Sequence, residues 1–201
     1  MRYFDRATSR LPQPWRTIVD WAITIAVAIT FVLVFEAEVA KPYRIPSASM
    51  EPTLHCARPG AGCLGSHDDR IIANRLAYRF ASPQRGQMVV FTTPPAAAIC
   101  GRGDGGSTFV KRLIGTPGDT VSERNGYIFI NGKPLREPYV DPALRDHESG
   151  AWPRIAPGHY FFLGDDRANS CDSRRWGTVP RTDLIGPAIL TYWPPSRWGW
   201  H

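Results

Sequence analysis

Two serines, Ser47 and Ser49, stand between two prolines in residues 45–54, which read I-P-S-A-S-M-E-P-T-L. Each proline fixes its own φ and pushes the preceding residue out of the helical region. Ile45 and Glu51 are therefore expected to be extended, with the serines held on a stiff loop between them. A rigid, exposed hydroxyl suits a nucleophile, but serine attacks only when a base lies within hydrogen-bond reach. The rest of the chain must then supply a His or a Lys that can lose a proton; failing that, the stretch is a Ser/Pro linker. The five histidines, His55, His67, His147, His159 and His201, fall in no catalytic context. Of the three lysines, Lys41, Lys111 and Lys133, the second sits in the middle of T-F-V-K-R-L-I. Strand alternation puts Lys111 on the same face as Phe109 and Leu113. Apolar neighbours disfavour an ammonium, and bringing a lysine from ~10.4 to near 7 or 8 asks roughly 4 kcal/mol of desolvation. The ordinary alternative is a strand-edge lysine with its head in solvent.

A third stretch, residues 164–177, reads G-D-D-R-A-N-S-C-D-S-R-R-W-G directly after the apolar run H-Y-F-F-L. Alternating carboxylates and guanidinium groups are what a cross-linked polar network requires, and Ser170 can supply the hydroxyl that orients a neutral amine. No metal-ligand spacing is present: Cys56 and Cys63 are seven apart and lack a companion Cys/His pair. No glycine-rich phosphate loop follows a strand. Neither a metal nor a cofactor is implied.

These residues need elements to place them. In 201 residues with nineteen prolines and eighteen glycines, loops and short strands are expected rather than long helices. The formal charge is +6, but Arg2, Arg6, Arg10 and Arg16 against Asp5 put +3 of it in residues 1–16. That distribution is membrane-topology charge and argues against a nucleic-acid partner. Residues 17–35 are apolar except for Asp20. Nineteen residues at 1.5 Å make about 28 Å, close to a hydrocarbon core of ~30 Å. Arginines precede the run while Glu36 and Glu38 follow it, so the N-terminus is expected in the cytoplasm. Cleavage as a secretory signal does not fit, because a cut after Ala40 or Ala37 places Glu38 or Phe35 where a small residue is needed. The expected organisation is a basic cytoplasmic tail at 1–16, a transmembrane helix at 17–35 and an extracytoplasmic domain at 36–201.

That outer domain is expected to be all-β. Residues 70–78, 87–93, 108–114, 120–123, 127–130, 159–163 and 185–193 are β-branched or aromatic and separated by Gly, Pro and Asn. Asn125-Gly126 and Asn131-Gly132 are hairpin signals, and no amphipathic helix of useful length follows Glu36. The interval 85–111, with Pro94-Pro95 and its glycines, reads as a long surface loop. All four cysteines lie beyond the apolar run, where disulfides persist, and four cysteines allow three pairings. Cys56 with Cys63 closes a short Gly/Pro loop and is the pairing expected; Cys100 and Cys171 then pair or stay free. Trp193, Trp198 and Trp200 crowd the C-terminus, either against lipid or against the sheet.

Taken in order after an apolar anchor, P-S-A-S-M-E-P-T-L, F-V-K-R-L-I-G-T-P-G-D and G-D-D-R-A-N-S-C-D-S-R resemble type I signal peptidase, the membrane-bound Ser-Lys endopeptidase. The resemblance covers residues 43–180. It implies a mainly β fold of partly barrel-like antiparallel sheets after one N-terminal transmembrane helix. It further implies Ser49 as nucleophile, Lys111 as general base, Ser47 with the Ser49 N–H as oxyanion hole and Ser170 as the residue orienting the lysine. Arg112, Asp165, Asp172 and Arg174 become a structural network, with Gly164 and Asp165 shaping the turn. Tyr43, Ile45, Met50, Leu54, Val90 and Val110 become the lining of shallow pockets for the small residues of an Ala-X-Ala-like site. Signal-peptide-bearing preproteins and the lipid bilayer are the implied partners, and a bacterial plasma membrane the implied location. The sequence departs from the family at Asp166 and Ala168, and in having Arg85-Gly86-Gln87 where R-G-D is common. Self-cleaving repressors also use a Ser-Lys dyad, but carry a DNA-binding helix-turn-helix where this chain has an apolar run. An inactive membrane-anchored binding domain would lack a dyad member, and none is missing. Oligomeric state is left open.

Overall fold

A computed structural model describes residues 12–101 and 106–201 and divides the chain into two units, Met1–Ala40 and Lys41–His201. In the first, helix α1 runs Gln13–Glu38. Its segment Trp15–Leu33 has a mean hydropathy of 1.8, long and apolar enough to cross a membrane. Trp15, Trp21, Phe31 and Leu33 are all exposed. The hydroxyls of Thr24 and Thr30 donate to the carbonyls four residues earlier, Asp20 and Ala26, so these two polar side chains are satisfied within the helix. Of the expected basic tail, Arg2, Arg6 and Arg10 lie outside the described residues, while Arg16 already belongs to α1.

The second unit is built of short antiparallel strands. These are β1 (Ala40–Arg44), β2 (Arg70–Asn74), β3 (Met88–Thr92), β4 (Thr108–Gly115), β5 (Val121–Arg124), β6 (Tyr127–Ile130), β7 (Lys133–Pro134), β8 (Gly150–Ala151), β9 (His159–Leu163), β10 (Val179–Pro180), β11 (Leu184–Trp193) and β12 (Gly199–Trp200). Eight form one sheet in the order β1-β2-β11-β3-β4-β9-β10, with β12 paired to β11; four form a second, β7-β6-β5-β8. Asn125-Gly126 and Asn131-Gly132 turn the hairpins of that smaller sheet, all four residues at positive φ, as primed two-residue turns demand.

Two expectations need correction. The strand expected over 70–78 stops at Asn74, because the Asn74 side-chain oxygen accepts the backbone N–H groups of Leu76 and Ala77. That local bond starts the single-turn helix α2 (Ala77–Phe80) in place of further ladder. The interval 85–111 is not one loop: β3 and the first half of β4 pair from Thr92↔Thr108 to Met88↔Arg112. The M-V-V-F-T run behaves as its β-branched and aromatic residues dictate, and among the described residues of the interval 85–87, 93–101 and 106–107 lie outside the strands. There Pro95–Cys100 forms a 3-10 turn.

The two faces of β3 and β4 are buried in different cores, since successive side chains point to opposite sides. On one, Val90, Met88 and Val110 join Ile45, Met50, Leu54, Ile71, Ala73 and Ala188. On the other, Val89, Phe91, Phe109 and Leu113 meet Phe162, Trp176, Cys100 and Cys171. A third cluster, around Ile114, Val121, Ile128, Ile155 and Phe161, packs β4 and β9 against the smaller sheet. The C-terminal tail is tied down: Arg197 donates to both Asp69 carboxylate oxygens at 3.0 Å and to the Thr53 carbonyl, and β12 pairs with β11. Trp198 and Trp200 nevertheless stay exposed.

Candidate active site

Ser49 lies in a 3-10 turn, Ala48–Met50, directly after β1. Ser47 precedes that turn in extended conformation and its side chain does not cap it, which leaves its hydroxyl for other work. Ala48 and Met50 are buried while Ser47 and Ser49 are half-buried, so the turn roots itself through its apolar residues and offers the hydroxyls between them. Glu51, fully buried, fastens the turn from behind: one carboxylate oxygen accepts the N–H groups of Cys56 and Leu64, each at 3.0 Å, and the other bonds His55. The Cys56–Cys63 disulfide closes the loop so gathered, and the two cysteines form a small buried cluster with Ala48.

Lys111 is the fourth residue of β4 and is 2% exposed. Its Nζ donates to Ser170 Oγ at 2.9 Å and lies 5.9 Å from the centre of the Phe109 ring. Ser170 is brought there by the loop after β9. In that loop the Gly164 N–H donates to Asp172 Oδ2, Asp172 accepts Arg174 Nε at 2.9 Å, and Arg174 reaches back to the carbonyls of Arg167 and Ser170. Gly164 is the point at which the two halves meet: a Cβ there would stand 2.2 Å from Ser170 Oγ and 2.3 Å from the Ser49 carbonyl oxygen. The same carbonyl accepts the Asp166 N–H at 3.3 Å. Ser49, Ser170 and Lys111, separated in sequence by some sixty residues each, thus share one neighbourhood.

Of the four residues expected as a network, Arg112 and Asp165 form one ion pair, through Nε at 2.8 Å and Nη2 at 2.5 Å, and Thr53 Oγ1 adds a bond to the same carboxylate. Asp172 and Arg174 form a second, separate knot. That knot takes in Glu123 and Asp146, which the sequence reading missed, so three carboxylates converge on the Arg174 guanidinium. Burial pushes the Glu123 carboxyl up to about 7, against the pull of Arg174. The buried pair of Arg167 with Glu137 was likewise not foreseen. No local signal ties Glu123 and Asp146 to Arg174, or Glu137 to Arg167, because these pairs are 28 to 51 residues apart. The departures from the family pattern are absorbed locally. Asp166 caps Asn169, Arg85 pairs with Asp119, and the Gln87 amide oxygen accepts from Tyr78.

A cleft of about 420 Å³ opens beside these groups, lined by residues 43–50, 61–62 and 108–111 together with Cys100, Asn169 and Cys171. Tyr43, Ile45, Met50 and Val110 are thus on its walls. Leu54 and Val90 are not; fully buried, they pack behind Ile45, Met50 and Val110 and support the floor. Among the described residues β9 pairs with β4 only from Arg112 onward, so Thr108 to Val110 have no partner from β9. Also among the described residues, no group of His, Cys, Asp and Glu is placed to hold a metal ion.

Comparison with known proteins gives one answer. The family model described as signal peptidase, peptidase S26, matches residues 18–193. Signal peptidase I of Mycobacterium tuberculosis (strain ATCC 25618 / H37Rv) is 34% identical over 233 aligned residues, spanning 94% of this chain and 77% of that one. Probable signal peptidase I-1 of Synechocystis sp. is 36% identical over 191 residues, 95% of this chain and 90% of the relative. A crystal structure of a signal peptidase I from Enterococcus faecalis V583 aligns at 30% identity with a TM-score of 0.45, covering 54% of this chain and 98% of that one. A match over residues 18–193, with relatives aligned along most of both chains, makes this chain a member of the type I signal peptidases, peptidase family S26.

Proposed function

We propose that the chain removes signal peptides from exported preproteins by acyl transfer at Ser49, with Lys111 as the base. The observation that supports this most is the contact of Lys111 Nζ with Ser170 Oγ, placed across Gly164 from the Ser49 backbone. Burial disfavours an ammonium, and a hydroxyl acceptor steers the amine's remaining lone pair. In the reaction, neutral Lys111 takes the Ser49 hydroxyl proton as Oγ bonds to the scissile carbonyl carbon. The oxyanion is met by the Ser49 N–H and the Ser47 hydroxyl. The Lys111 ammonium then gives its proton to the departing amine, the C–N bond breaks, and the signal peptide is left as an ester on Ser49. Water, deprotonated by Lys111, cleaves that ester and restores the enzyme.

The substrate lies extended beside Thr108 to Val110, on the side of β4 where, among the described residues, β9 pairs only from Arg112 onward, and adds a strand there through backbone hydrogen bonds. Its small side chains sit against Ile45, Met50 and Val110. Helix α1 holds the enzyme in the bilayer where its substrates arrive, the arginine-rich N-terminus on the cytoplasmic side and Lys41–His201 on the outer side. The test is cleavage of a model preprotein by the full chain and two variants. Ser49→Ala and Lys111→Arg should both be inactive, the second because a guanidinium stays charged at any usable pH. Substantial activity in Lys111→Arg would falsify the assignment of the base.

A further inference from the structure

Both disulfides flank the cleft, but they hold different things. Cys56–Cys63, seven residues apart, packs on Ala48 between the two serines and presents Ala61 and Gly62 to the cleft. Cys100–Cys171 spans 71 residues and reaches the other partner of the chemistry. Cys171 directly follows Ser170, and Cys100 ends the 3-10 turn of the loop that feeds β4, the strand bearing Lys111.

We propose that the Cys100–Cys171 disulfide is a positioning element for the catalytic base, fixing Ser170 where it accepts the hydrogen bond from Lys111. This rests on the Ser49–Lys111 reading above. One covalent bond joins the Ser170 loop to the turn that precedes β4, the strand whose Lys111 makes the 2.9 Å contact with Ser170. Among the described residues no hydrogen bond links 93–101 with 164–176. What else joins them is side-chain packing, of Ala97, Phe109 and Trp176 around the two sulfurs. The remaining anchors of the Ser170 loop hold it from elsewhere: Asp172 and Arg174 tie its backbone to itself and to Glu123 and Asp146, and Asn169 bonds Asp166. None of them reaches the β3–β4 loop. Severing the disulfide therefore leaves the loop's course defined but frees Cys171 to turn away from Cys100, and the adjacent Ser170 hydroxyl moves with it.

A staple and a positioning element are distinguishable. A staple acts on the unfolded chain and leaves a folded enzyme's turnover alone, whereas a positioning element acts through Ser170 and its effect vanishes once that hydroxyl is gone. The experiment is a double-mutant cycle on the full chain in detergent micelles, using a signal-peptide substrate well below the melting temperature. Folding of every variant is checked by near-ultraviolet circular dichroism. Cys100→Ala/Cys171→Ala should lower kcat about tenfold with KM held within about twofold, because loosening the hydroxyl that orients Lys111 is felt in turnover. In a Ser170→Ala background the same double substitution should cost less than about twofold more. Cys56→Ala/Cys63→Ala, acting at the nucleophile turn, should stay additive with Ser170→Ala. Reducing the wild-type enzyme with a water-soluble phosphine should reproduce the loss, and reoxidation should restore activity. Unchanged kcat in a folded double variant, full additivity with Ser170→Ala, or unfolding on both substitution and reduction overturns the proposal. Ser49→Ala and Lys111→Arg run alongside: activity in them removes the dyad itself, whereas inactivity there with a fully active disulfide variant removes this proposal alone.

Discussion

Gly164→Ala adds one methyl group at the narrowest point of the site. Gly164 is not among the glycines at positive φ, so alanine is permitted by the backbone and the effect is purely one of space. The new Cβ would stand 2.2 Å from Ser170 Oγ, where ordinary contact begins at 3.4 Å. Ser170 must therefore recede by about 1.2 Å, the difference of those distances, or Ser49 must give way on the opposite side, where its carbonyl oxygen is 2.3 Å away. A retreat of that size stretches the 2.9 Å Lys111–Ser170 bond to about 4 Å, beyond hydrogen bonding. Moving Ser49 instead strains its carbonyl bond to the Asp166 N–H. Either response misplaces a reacting group by about 1 Å and should cost on the order of 100-fold in kcat/KM. Overpacking should cost about 1–3 kcal/mol of stability, partly offset by the lower unfolded-chain entropy of alanine. The assay is peptide cleavage paired with thermal unfolding. Gly199→Ala, whose nearest new neighbour would be the Arg197 carbonyl oxygen at 4.0 Å, serves as the control for the substitution itself. A folded Gly164→Ala enzyme cutting within threefold of the wild type would refute the steric argument.

Three further outcomes are expected. The folded-state pKa of Glu123, about 7, lies above its ordinary 4.5, so its contribution to stability is fully present below pH 4.5 and is lost as pH rises to about 7. The span corresponds to about 3 kcal/mol, and Glu123→Gln should flatten the melting temperature across that window; parallel curves for the two proteins would show that another group is responsible. If the small substrate side chains sit against Ile45, Met50 and Val110, preproteins with alanine at both small positions should be cut, and efficient cutting with leucine in the last position would contradict the pocket assignment. Because Arg197 anchors the tail to Asp69 and Thr53, removing residues 196–201 should impair cleavage of every substrate. Trp198→Ala/Trp200→Ala should spare soluble peptides and slow only membrane-embedded substrate, an equal loss on both pointing to packing.

What could be read from the sequence was what is local. The apolar run announced α1 because length and hydropathy are properties of one segment, and the Asn-Gly pairs announced hairpins because both turn residues are their own cause. The strand core of β3, β4, β6, β9 and β11 followed from runs of β-branched and aromatic residues. Strands β7, β8, β10 and β12 were missed because each is two residues long, held by its neighbours rather than by any preference of its own. At the site, Ser49, Lys111 and Ser170 were legible as motifs, while Leu54 and Val90 were expected one layer too near the cleft: apolar residues lining a wall and residues backing it look alike until packing separates them. The charge network was foreseen as one cluster and is two, because nothing in a row of carboxylates tells which arginine folding will bring to each.

The order of the large sheet carries a consequence for how the protein comes into being. The Ser49 turn follows β1, which pairs with β2; Lys111 rides on β4, which pairs with β3; and in the sheet β11 stands between the two pairs. A chain extended only as far as Asp183 already carries Ser49, Lys111 and Ser170, yet has no strand to close that gap. Pairings so distant in sequence form late, after the loops between them have been closed. Assembly of the two halves is thereby deferred until β11 has been made: a copy ending before Leu184 carries Ser49, Lys111 and Ser170 without the strand that stands between β2 and β3.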